Sequence, residues 1–310
     1  MASTVILSII IVNWNACVLL RHCLASIEAN RGGLSMEVIV VDNASSDDSV
    51  QMVRQEFPQV KLIASQENPG YAGGNNRGIR QASGRYLLIL NPDTEIVGDA
   101  LQQMVAYLDA HPTVGVVGPR LLFPDGSVQR TRRRFPQVTT ALVQTPLGWR
   151  WFPDNKFERM HYISDRSDDE IQSVDWLLGA ALMLRRETWQ EVGPFDEQFF
   201  LYSDEVDWCH CCRDAGWEIH YLPLSEIIHH QGGTTKGVAV PVRTHFYRSR
   251  VLYFRKYFGA GWAAVIRLFF LINYAWLLGE ELAAWAVGRR HEAHRKRVQT
   301  YWHALRSGLR

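Results

Sequence analysis

The sequence is poor in cysteine, which excludes a fold stapled by disulfides. It has five cysteines in 310 residues, and Cys209, Cys211 and Cys212 lie too close together on one predicted helix to join separate loops. The Cys-His-Cys-Cys run also has no second ligand pair at finger-like spacing, so it favours core packing over a structural zinc site. The cysteine content therefore indicates a reducing compartment.

Targeting signals, repeats and nucleic-acid-binding patterns are also missing. The N-terminal segment MASTVILSIIIVNWN has no basic leader and no small-residue cleavage site, so it predicts a first strand rather than a signal peptide. We find no internal repeat and no low-complexity segment. No basic stripe with interleaved aromatic residues recurs through the body, and we expect no nucleic acid as partner.

Charge is nearly balanced overall but unevenly placed. Residues 289–310 hold seven Lys or Arg against one Glu, so a net charge of +1 for the chain leaves −5 for the rest. Just before this basic tail, residues 260–279 contain a single charge, Arg267, which is costly at the centre of a bilayer. Trp262 and Trp276 suit a helix that lies in the membrane interface. We expect this segment to contact an anionic membrane surface; a helix packed on the domain is the alternative.

The first 120 residues alternate between apolar runs and segments with helical spacing. Runs that are apolar on both faces and separated by helices indicate an α/β fold, with a mostly parallel central sheet covered by helices on both faces. The predicted strands are Val5–Val12, Glu37–Val41, Val60–Ala64 and Tyr86–Leu90. The predicted helices cover about 18–27, start at about Ser49, and cover about 73–81.

After Pro119 the pattern changes. The stretch LLFPDGSVQ predicts a hairpin, because Pro-Asp-Gly separates two β-favouring runs. LLGAALMLRR predicts another buried strand, and EIHYLPLSEIIHH predicts two more. Residues 130–172 are rich in Arg, Pro and Asp without a clear period, and we interpret them as long loops over a site.

Acidic residues directly follow two of the predicted strands. Asp42 ends one, and Asn91-Pro92-Asp93 ends another. In open parallel sheets, ligands bind beyond the carboxyl ends of the strands. Turn formation and helix capping explain Ser46 and Asp47 without a ligand. They explain Asp93 less well, and a hard divalent cation held by one carboxylate and by ligand phosphates is the prediction there.

Three further stretches carry candidate chemistry. In NPGYAGGNNRGIRQASG, the pair Gly73-Gly74 is predicted to open a helix whose N–H groups face an anion. In GPFDEQFFLYSDEVDWC, a helix that begins near Ser203 would hold an acid ionised for use as a general base, or would merely complement the helix dipole. In IIHHQGGTTK, the histidines are either structural or ligands of the predicted metal.

Together these motifs resemble family 2 glycosyltransferases with the GT-A fold, in particular the bacterial rhamnosyltransferase-like branch that builds surface polysaccharides. The resemblance covers about residues 5–258 and rests on SIIIVNWN, VVDNASSD, NPGYAGGNNRG, LLILNPDTEI, WLLGAALMLRR, GPFDEQFFLYSDEVDWC and IIHHQGG, in the family's order. It implies a GT-A, Rossmann-like domain over 1–258, with a nucleotide-sugar-binding half to about 120 and an acceptor-binding half beyond it. A helical segment with the basic tail, 259–310, would follow.

The resemblance implies donor-binding roles for five residues. Asp42 would accept the ring N–H of a uracil- or thymine-type base, with Asn13 and Asn43 nearby. Asn75 would lie near the diphosphate. Asn91 would lie on the ribose side, where the family's Asp-x-Asp motif usually has its first acid, so one charge is missing.

It also implies the metal, the base and the acceptor side. Asp93 and His229 would hold Mn²⁺ or Mg²⁺, with His230 as the alternative ligand. Glu205 matches the family's general base, but Asp204-Glu205 stands where the family has Glu-Asp, which leaves the choice between them open. The acceptor side would be lined by Trp176, Gly179, Arg132 and Arg133. The arginine run 130–134 also suggests contact with the diphosphate of a lipid-linked acceptor.

The implied activity is that of an inverting, metal-dependent glycosyltransferase. It would move rhamnose or a similar sugar from a UDP- or dTDP-type donor to a hydroxyl of a glycan or polyprenyl-diphosphate-linked acceptor, on the cytoplasmic face of the inner membrane. A nucleotidyltransferase is the rival enzyme, but its glycine- and lysine-rich loop after the first strand is replaced here by NWNACVLL. A sugar-nucleotide-binding protein with a decayed site remains the non-enzymatic alternative.

Overall fold

Strands and helices alternate from the first strand onward in a computed structural model, which describes residues 5–231, 239–287 and 292–309. The strands are β1 (Leu7–Asn13), β2 (Met36–Asp42), β3 (Lys61–Ala64), β4 (Tyr86–Leu90), β5 (Thr94–Ile96), β6 (Val114–Leu122), β7 (Arg132–Arg133), β8 (Gln172–Ser173), β9 (Trp176–Leu177), β10 (Ala181–Arg185) and β11 (Glu218–His229). The helices are α1 (Cys17–Ala29), α2 (Ser49–Glu56), α3 (Gly70–Gln81), α4 (Ala100–Ala110), α5 (Val138–Val143), α6 (Pro146–Trp151), α7 (Lys156–His161), α8 (Arg186–Val192), α9 (Asp204–Asp214), α10 (Ala239–Ala286) and α11 (Glu292–Ser307).

The main sheet has the strand order β3-β2-β1-β4-β10-β6-β11-β5, with β8 added to β11. The four predicted strands of the N-terminal half are confirmed, and they run parallel to one another. The other half is mixed, because β10 lies antiparallel to both β4 and β6, while β11 is parallel to β6. The predicted parallel sheet is therefore right for one half of the structure.

The strand register brings the predicted site residues to one edge of this sheet. Asn13 pairs with Asp42 at the ends of β1 and β2. Leu90 at the end of β4 pairs with Ala181, so Gly179, just before β10, lies at the same edge. Farther along the sheet, His229 at the end of β11 pairs with Thr94.

Helix α3 packs very closely on the sheet through its glycines. A Cβ atom at Gly74 would lie 2.7 Å from Val12 Cγ1, and one at Gly78 would lie 2.5 Å from Ile10 Cγ2. The prediction that Gly73-Gly74 opens the helix is wrong: α3 begins at Gly70, and both glycines are buried inside it. The missing side chains of Gly74 and Gly78 permit this close helix–sheet packing.

Several elements differ from the sequence prediction in the second half. The buried strand predicted in LLGAALMLRR is confirmed as β10 but begins only at Ala181; Leu177, the first residue of this stretch, belongs to β9, which pairs with β7 in a separate two-stranded sheet. EIHYLPLSEIIHH forms the single strand β11, with a register shift between Leu222 and Glu226. Helix α4 and strands β5 and β6 were not predicted, and residues 130–172 contain three short helices in place of continuous loop. The predicted hairpin forms a turn at Gly126, with an antiparallel bridge between Leu122 and Val128.

The chain divides into two compact units. Unit 1 comprises Met1–Phe135, Tyr162–Phe200 and Asp204–Thr234, and unit 2 comprises Pro136–His161, Leu201–Ser203 and Thr235–Arg310. Unit 1 has 16 Lys or Arg against 27 Asp or Glu, a net charge of −11. Unit 2 has 17 against 5, a net charge of +12. The charge asymmetry is thus much larger between the units than along the linear sequence.

Unit 2 is built around the long helix α10, which Gly259 breaks with φ 86° and ψ 168°. Helix α11 covers one side of α10: the Nε of Arg267 donates to the Gly308 carbonyl at 2.6 Å, and the Tyr274 and Tyr301 rings lie 5.9 Å apart. The part Thr244–Ala286 is long and apolar enough to cross a membrane, and 33% of its most apolar stretch is buried. Arg267 therefore has a protein partner in the middle of the apolar segment.

Candidate active site

The end of β2 holds a buried carboxylate, Asp42, within a set of hydrogen bonds. Its Oδ2 accepts hydrogen bonds from Asn13 Nδ2 at 2.8 Å and from the Ser45 hydroxyl at 2.6 Å, and its Oδ1 accepts from the Ser45 N–H at 2.9 Å. Ala44, with φ 59°, turns the chain back to bring Ser45 onto the carboxylate. Asp42 is therefore held in one orientation, and Ser45 is a contributor that the sequence prediction missed.

Asn43 joins this set of hydrogen bonds to the start of α3. Its Nδ2 donates to the Gly70 carbonyl at 2.9 Å, while the Gly70 N–H donates to Asn68 Oδ1 at 2.9 Å. Gly70 has φ 79° and lies against Phe200, so a Cβ there would clash with the Phe200 carbonyl. Asp47, by contrast, accepts from the Ser49 hydroxyl and from a backbone N–H at the start of α1, which is the capping role considered for it.

Tyr71 connects the two sides of the site and was not predicted. Its hydroxyl donates to Asn91 Oδ1 at 2.7 Å and lies 3.1 Å from the Gly179 carbonyl. Burial, followed by the negative charge of Asp204, holds the pKa of this hydroxyl well above its usual range, so it stays a donor. Its position in the glycine-rich stretch, one turn before Asn75, was the signal available in the sequence.

Asp93 and His229 face each other at the end of β4. Their side chains are buried, and His229 Nε2 lies 3.4 Å from Asp93 Oδ1. Gln129 Oε1 lies 2.9 Å from His229 Nδ1, and Gln129 Nε2 donates to the His229 carbonyl at 2.7 Å. If Gln129 Oε1 accepts the Nδ1 proton, the Nε2 lone pair points at Asp93. The hairpin turn at Gly126 delivers Gln129, which the sequence prediction also missed.

His230 is turned elsewhere. Its ring nitrogen lies 2.6 Å from the Glu95 carboxylate, and its backbone N–H donates to the Asp93 carbonyl. Of the two histidines left open by the sequence, the geometry therefore directs His229 toward Asp93.

The donor atoms present fit a hard or borderline divalent cation. Asp93 Oδ1 is buried without a hydrogen-bond partner among the described residues, and an imidazole nitrogen faces it. One carboxylate and one imidazole suit Mn²⁺ or Mg²⁺ when phosphate oxygens and water complete the coordination. Across residues 5–231, 239–287 and 292–309, no three His, Cys, Asp or Glu side chains are grouped to hold a metal by themselves.

Asp204 and Glu205 begin α9 beside Gly179. Asp204 is buried, and burial together with the adjacent Glu205 carboxylate raises its pKa well above the usual range. Glu205 is half-buried, and a Cβ at Gly179 would lie 3.2 Å from its Cβ. The structure thus brings Gly179 against Glu205 and gives the two acids different environments.

A half-buried cation, Arg133, lies near Glu205. Its guanidinium stacks on Trp176 at 4.7 Å and on Tyr162 at 5.0 Å. Burial lowers the pKa of Arg133, and the charges of Tyr162 and Glu205 oppose that effect; an arginine remains protonated regardless. Its Nε has no hydrogen-bond partner within the described part of the chain.

Arg132 is placed differently from its predicted role. It pairs with the neighbouring strand residue Leu177, and its side chain is buried. Its guanidinium forms an ion pair with Asp168 and donates to the Ser167 carbonyl at 2.8 Å. These internal contacts hold the loop in place, so the structure brings Arg133, and not Arg132, to the site.

Several residues predicted for the site carry buried polar atoms without a partner, as do other residues of the described part of the chain. Within the described residues, buried oxygen or nitrogen atoms without a hydrogen-bond partner occur on Asn13, Asn43, Asn75, Asp93 and Asp204. Buried polar groups in native proteins are normally satisfied, and groups left over call for a bound ligand. Asn75 has both side-chain amide atoms in this state and is fully buried.

The chain is similar to a known protein family and to individual glycosyltransferases. Residues 8–177 match the protein-family model described as Glycosyl transferase family 2. The chain is 30% identical over 211 residues to the N-acetylglucosaminyl-diphospho-decaprenol L-rhamnosyltransferase of Mycobacterium tuberculosis, covering 64% of this chain and 68% of that protein. It is 25% identical over 214 residues to the rhamnosyltransferase WbbL of Escherichia coli, covering 62% of this chain and 77% of the relative.

A solved structure shares the fold. The mannosyltransferase PcManGT from Pyrobaculum calidifontis, in complex with GDP-Man and Mn²⁺, matches with a TM-score of 0.57 at 17% identity. The match covers 97% of this chain and 85% of that one.

Proposed function

The chain belongs to glycosyl transferase family 2, and on this premise we propose that it is a metal-dependent, inverting glycosyltransferase. The proposed donor is a UDP- or dTDP-type sugar carrying rhamnose or a similar hexose. The proposed acceptor is a hydroxyl of a glycan linked to a polyprenyl diphosphate. The mycobacterial relative is named for transfer to a diphospho-decaprenol-linked sugar, which supports this acceptor class.

One observation carries the proposal. Among the predicted site residues, five carry buried polar atoms without partners within the described part of the chain, and they are spread over more than 190 positions, Asn13 to Asp204. Asn13 and Asn43 lie at the ends of β1 and β2, and Asp93 follows β4 at the same edge of the sheet. A polar ligand with separate base, diphosphate and sugar parts would satisfy these groups together.

The β1–β2 end suits a pyrimidine base. Among the described residues, Asp42 Oδ1 accepts a hydrogen bond from the Ser45 N–H alone and retains capacity for a second donor. The imino N–H of uracil or thymine is such a donor. Asn13, whose Nδ2 donates to Asp42, also has an Oδ1 without a partner among the described residues. Asn43, joined to the start of α3, would stand between the base and the diphosphate, and the buried amide of Asn75 would face the phosphates.

Asp93 and His229 would hold Mn²⁺ or Mg²⁺, with Asn91 on the ribose side. A bound divalent cation would supply positive charge beside the diphosphate as negative charge gathers on it. Gln129 orients His229 for this contact through both polar atoms of its side-chain amide, Oε1 and Nε2. The chain's own contribution is thus one fixed carboxylate and one imidazole of fixed tautomer.

Glu205 would take the proton from the acceptor hydroxyl. A positioned carboxylate contributes typically about 10²–10⁴-fold to such a step. Burial and the neighbouring Glu205 carboxylate raise the pKa of Asp204, which makes Asp204 the less suitable base and favours Glu205 for this role. A single base that acts opposite to the leaving group implies inversion at the anomeric carbon.

Arg133 would contact the acceptor. It lies near Glu205 with its Nε unpartnered among described residues, and Trp176 and Tyr162 hold its plane. Guanidinium groups suit phosphate oxygens, so the acceptor diphosphate is the proposed partner. Arg132 would serve by holding the loop that carries Arg133.

The proposed location is the cytoplasmic face of the inner membrane, reached through the C-terminal segment. Support comes from the one described helix that is apolar enough to enter a bilayer and from the basic residues after it. The partner of Arg267 within the protein favours a helix lying on the surface over one that spans it.

Thermal unfolding with a panel of nucleotides tests the donor site. We expect UDP or dTDP with Mn²⁺ to raise the unfolding temperature, and GDP or ADP with Mn²⁺ to raise it less. Incubation with UDP- and dTDP-sugars should then show slow hydrolysis that depends on added metal. Stabilisation without any hydrolysis or transfer would instead support a sugar-nucleotide-binding protein.

A further inference from the structure

Unit 2 exposes a set of large aromatic and aliphatic side chains. We call this set the aromatic face; it comprises Trp149, Trp151, Phe152, Trp262, Ile272 and Trp276. Trp151 and Phe152 are 57% and 59% exposed, and Trp276 is 51% exposed. Single exposed apolar residues are common, but several large ones on one unit, two of them in ring contact, indicate a surface that binds a partner.

Two distant parts of the sequence build the aromatic face. The Trp151 and Trp276 rings meet edge to face at 6.1 Å. Beside them, the Arg150 guanidinium donates to Glu280 at 2.7 Å, and Trp276 Nε1 donates to the same carboxylate at 3.1 Å. Residues 136–161 belong to unit 2 but lie in the sequence between two stretches of unit 1, and we call them the insertion. The insertion is therefore attached to α10 at the point where both carry exposed tryptophans.

Helix α10 uses its other side for internal packing. Phe270, Tyr274 and Leu278 are buried. Nearby, the Nε of Arg297 in α11 donates a hydrogen bond to the Glu281 carboxylate at 2.6 Å. Trp262, Ile272 and Trp276 recur at helical spacing on the side that α11 leaves open. The exposed side is thus a property of the packed unit, and not of an unfolded or isolated helix.

Charge indicates which partner fits. Unit 2 carries a net charge of +12, and interfacial tryptophans above clustered Lys and Arg are typical of proteins that bind anionic bilayers. Two such units from two copies would repel each other. The exposed apolar residues of unit 1, among them Val18, Ile171 and Leu224, belong to separate elements and do not offer a matching surface.

We propose that the aromatic face is a binding surface for anionic lipid bilayers, in which the insertion 136–161 is as necessary as the C-terminal helix. This inference adds a second segment to the membrane contact given in the proposed function. It rests on the proposed function only for the expectation that the protein meets a bilayer. The tryptophans enter the headgroup region, and the basic residues of unit 2 attract the anionic lipids.

Flotation of the full chain with liposomes tests this inference, without nucleotide or acceptor. We expect strong binding to phosphatidylcholine vesicles that contain phosphatidylglycerol, and at least about tenfold weaker binding to pure phosphatidylcholine. Raising the salt concentration should weaken the binding to anionic vesicles. Equal binding to both vesicle types would overturn the choice of anionic lipid.

Variants separate the insertion from the C-terminal helix. The triple change Trp149→Ala, Trp151→Ala and Phe152→Ala should reduce vesicle binding by at least about tenfold, because three interfacial anchors are lost. The matched control Val18→Ala, Ile171→Ala and Leu224→Ala removes three exposed apolar side chains from unit 1 and should leave the binding unchanged. Undiminished binding of the insertion variant, with the control also intact, would refute the role of 136–161.

The same experiment distinguishes this inference from the proposed activity. Transfer to a short-chain, water-soluble acceptor analogue should be unaffected by the insertion variant. Activity on that analogue without vesicle binding would overturn the lipid surface and leave the enzyme proposal standing. Vesicle binding without any transfer would overturn the enzyme proposal and leave the lipid-binding surface standing. Sedimentation velocity gives the remaining outcome: a dimer that the triple change dissociates would assign the face to a second copy.

Discussion

At the scale of single residues, two neighbouring carboxyl groups, Asp204 and Glu205, lie in different surroundings. Asp204 is buried with one oxygen unpartnered among the described residues, and Glu205 repels its charge. Glu205 is half-buried, with the fixed charge of Arg133 nearby. These surroundings favour the protonated form of Asp204, and Glu205 is the proposed base of the pair.

This difference predicts unequal effects of two isosteric changes. Glu205→Gln should lower kcat by about 10²–10⁴-fold while the dissociation constant for nucleotide changes by less than about threefold. Asp204→Asn, which mimics the protonated acid, should retain activity within about tenfold. Single-turnover kinetics and nucleotide titration measure both quantities. Glu170→Gln, on an exposed acid, is the control, and a larger loss for Asp204→Asn than for Glu205→Gln would reverse the assignment.

Gln129 gives a second prediction at this scale. Gln129→Ala should weaken Mn²⁺ binding in the presence of UDP by about 10–100-fold, because His229 loses the acceptor that fixes its ring. Calorimetric titration of the metal measures this directly, independently of turnover. Gln190→Ala on the surface of α8 serves as control. Unchanged affinity in the Gln129 variant would mean that His229 does not bind the metal.

Predictability of the site depended on where each residue stands in its motif. Asp42, Asp93, Glu205 and His229 could be predicted because strand ends and motif order mark them. Tyr71 and Gln129 could not, because one bonds across to Asn91 and the other arrives from a hairpin, and tertiary contacts alone reveal both. Arg132 and Arg133 are adjacent arginines that the sequence does not distinguish. Successive side chains of a strand point to opposite sides, and in β7 this places Arg132 in an internal ion pair with Asp168.

At the scale of secondary-structure elements, one carboxylate connects three strands. Glu37 of β2 accepts from Ser8 of β1 at 2.6 Å, from Lys61 of β3 at 2.5 Å and from the Ser83 hydroxyl at 2.7 Å. Burial opposes its ionisation, but these hydrogen bonds outweigh burial and lower its pKa to about 2. A lowered pKa means that the ionised form stabilises the fold.

Glu37→Gln should therefore destabilise the protein in a pH-dependent way. At about pH 7 the loss should be about 1–2 kcal/mol, allowing for partial exposure of the group. The difference from the unchanged protein should shrink as pH falls from about 4.5 toward about 2, where Glu37 itself becomes protonated. Urea unfolding across this range measures it. Glu28→Gln, in an exposed pair with Arg31, should cost less than about 0.5 kcal/mol, and a pH-independent loss at Glu37 would contradict the reasoning.

The elements of the N-terminal half could be predicted and those of the second half only in part. The strands β1, β2 and β4 are buried on both faces, so continuous apolar runs mark them. The two-residue strands β7 and β9 are too short to show a period. β11 was divided in the prediction because Pro223 and Ser225 interrupt its apolar run, where the structure has a register shift instead.

At the scale of the whole molecule, β10 lies in the centre of the sheet although it comes late in the chain. Met183 is fully buried and pairs with Leu88 of β4 on one side and with Val117 of β6 on the other. The N-terminal strands therefore share their interior with residues more than 90 positions away. This arrangement joins both halves of the sheet in one core.

Met183→Ala should therefore loosen both halves at once. We expect a loss of about 2–5 kcal/mol in unit 1, typical of a buried truncation. Hydrogen exchange followed by mass spectrometry should show faster exchange in β1 and in β11 alike. Leu224→Ala, at a side chain that is 70% exposed, should change neither. Faster exchange confined to β6 and β11 would show that the two halves unfold separately.

The division of charge between the two units has a consequence for handling the protein. Taken alone, a sequence pI of about 7.7 would predict weak adsorption to any charged resin near neutral pH. However, this average conceals a net charge of −11 on unit 1 and of +12 on unit 2. We expect retention on both anion and cation exchangers in the same dilute buffer. For the same reason, solubility should be poorest in low salt and should improve as salt is added.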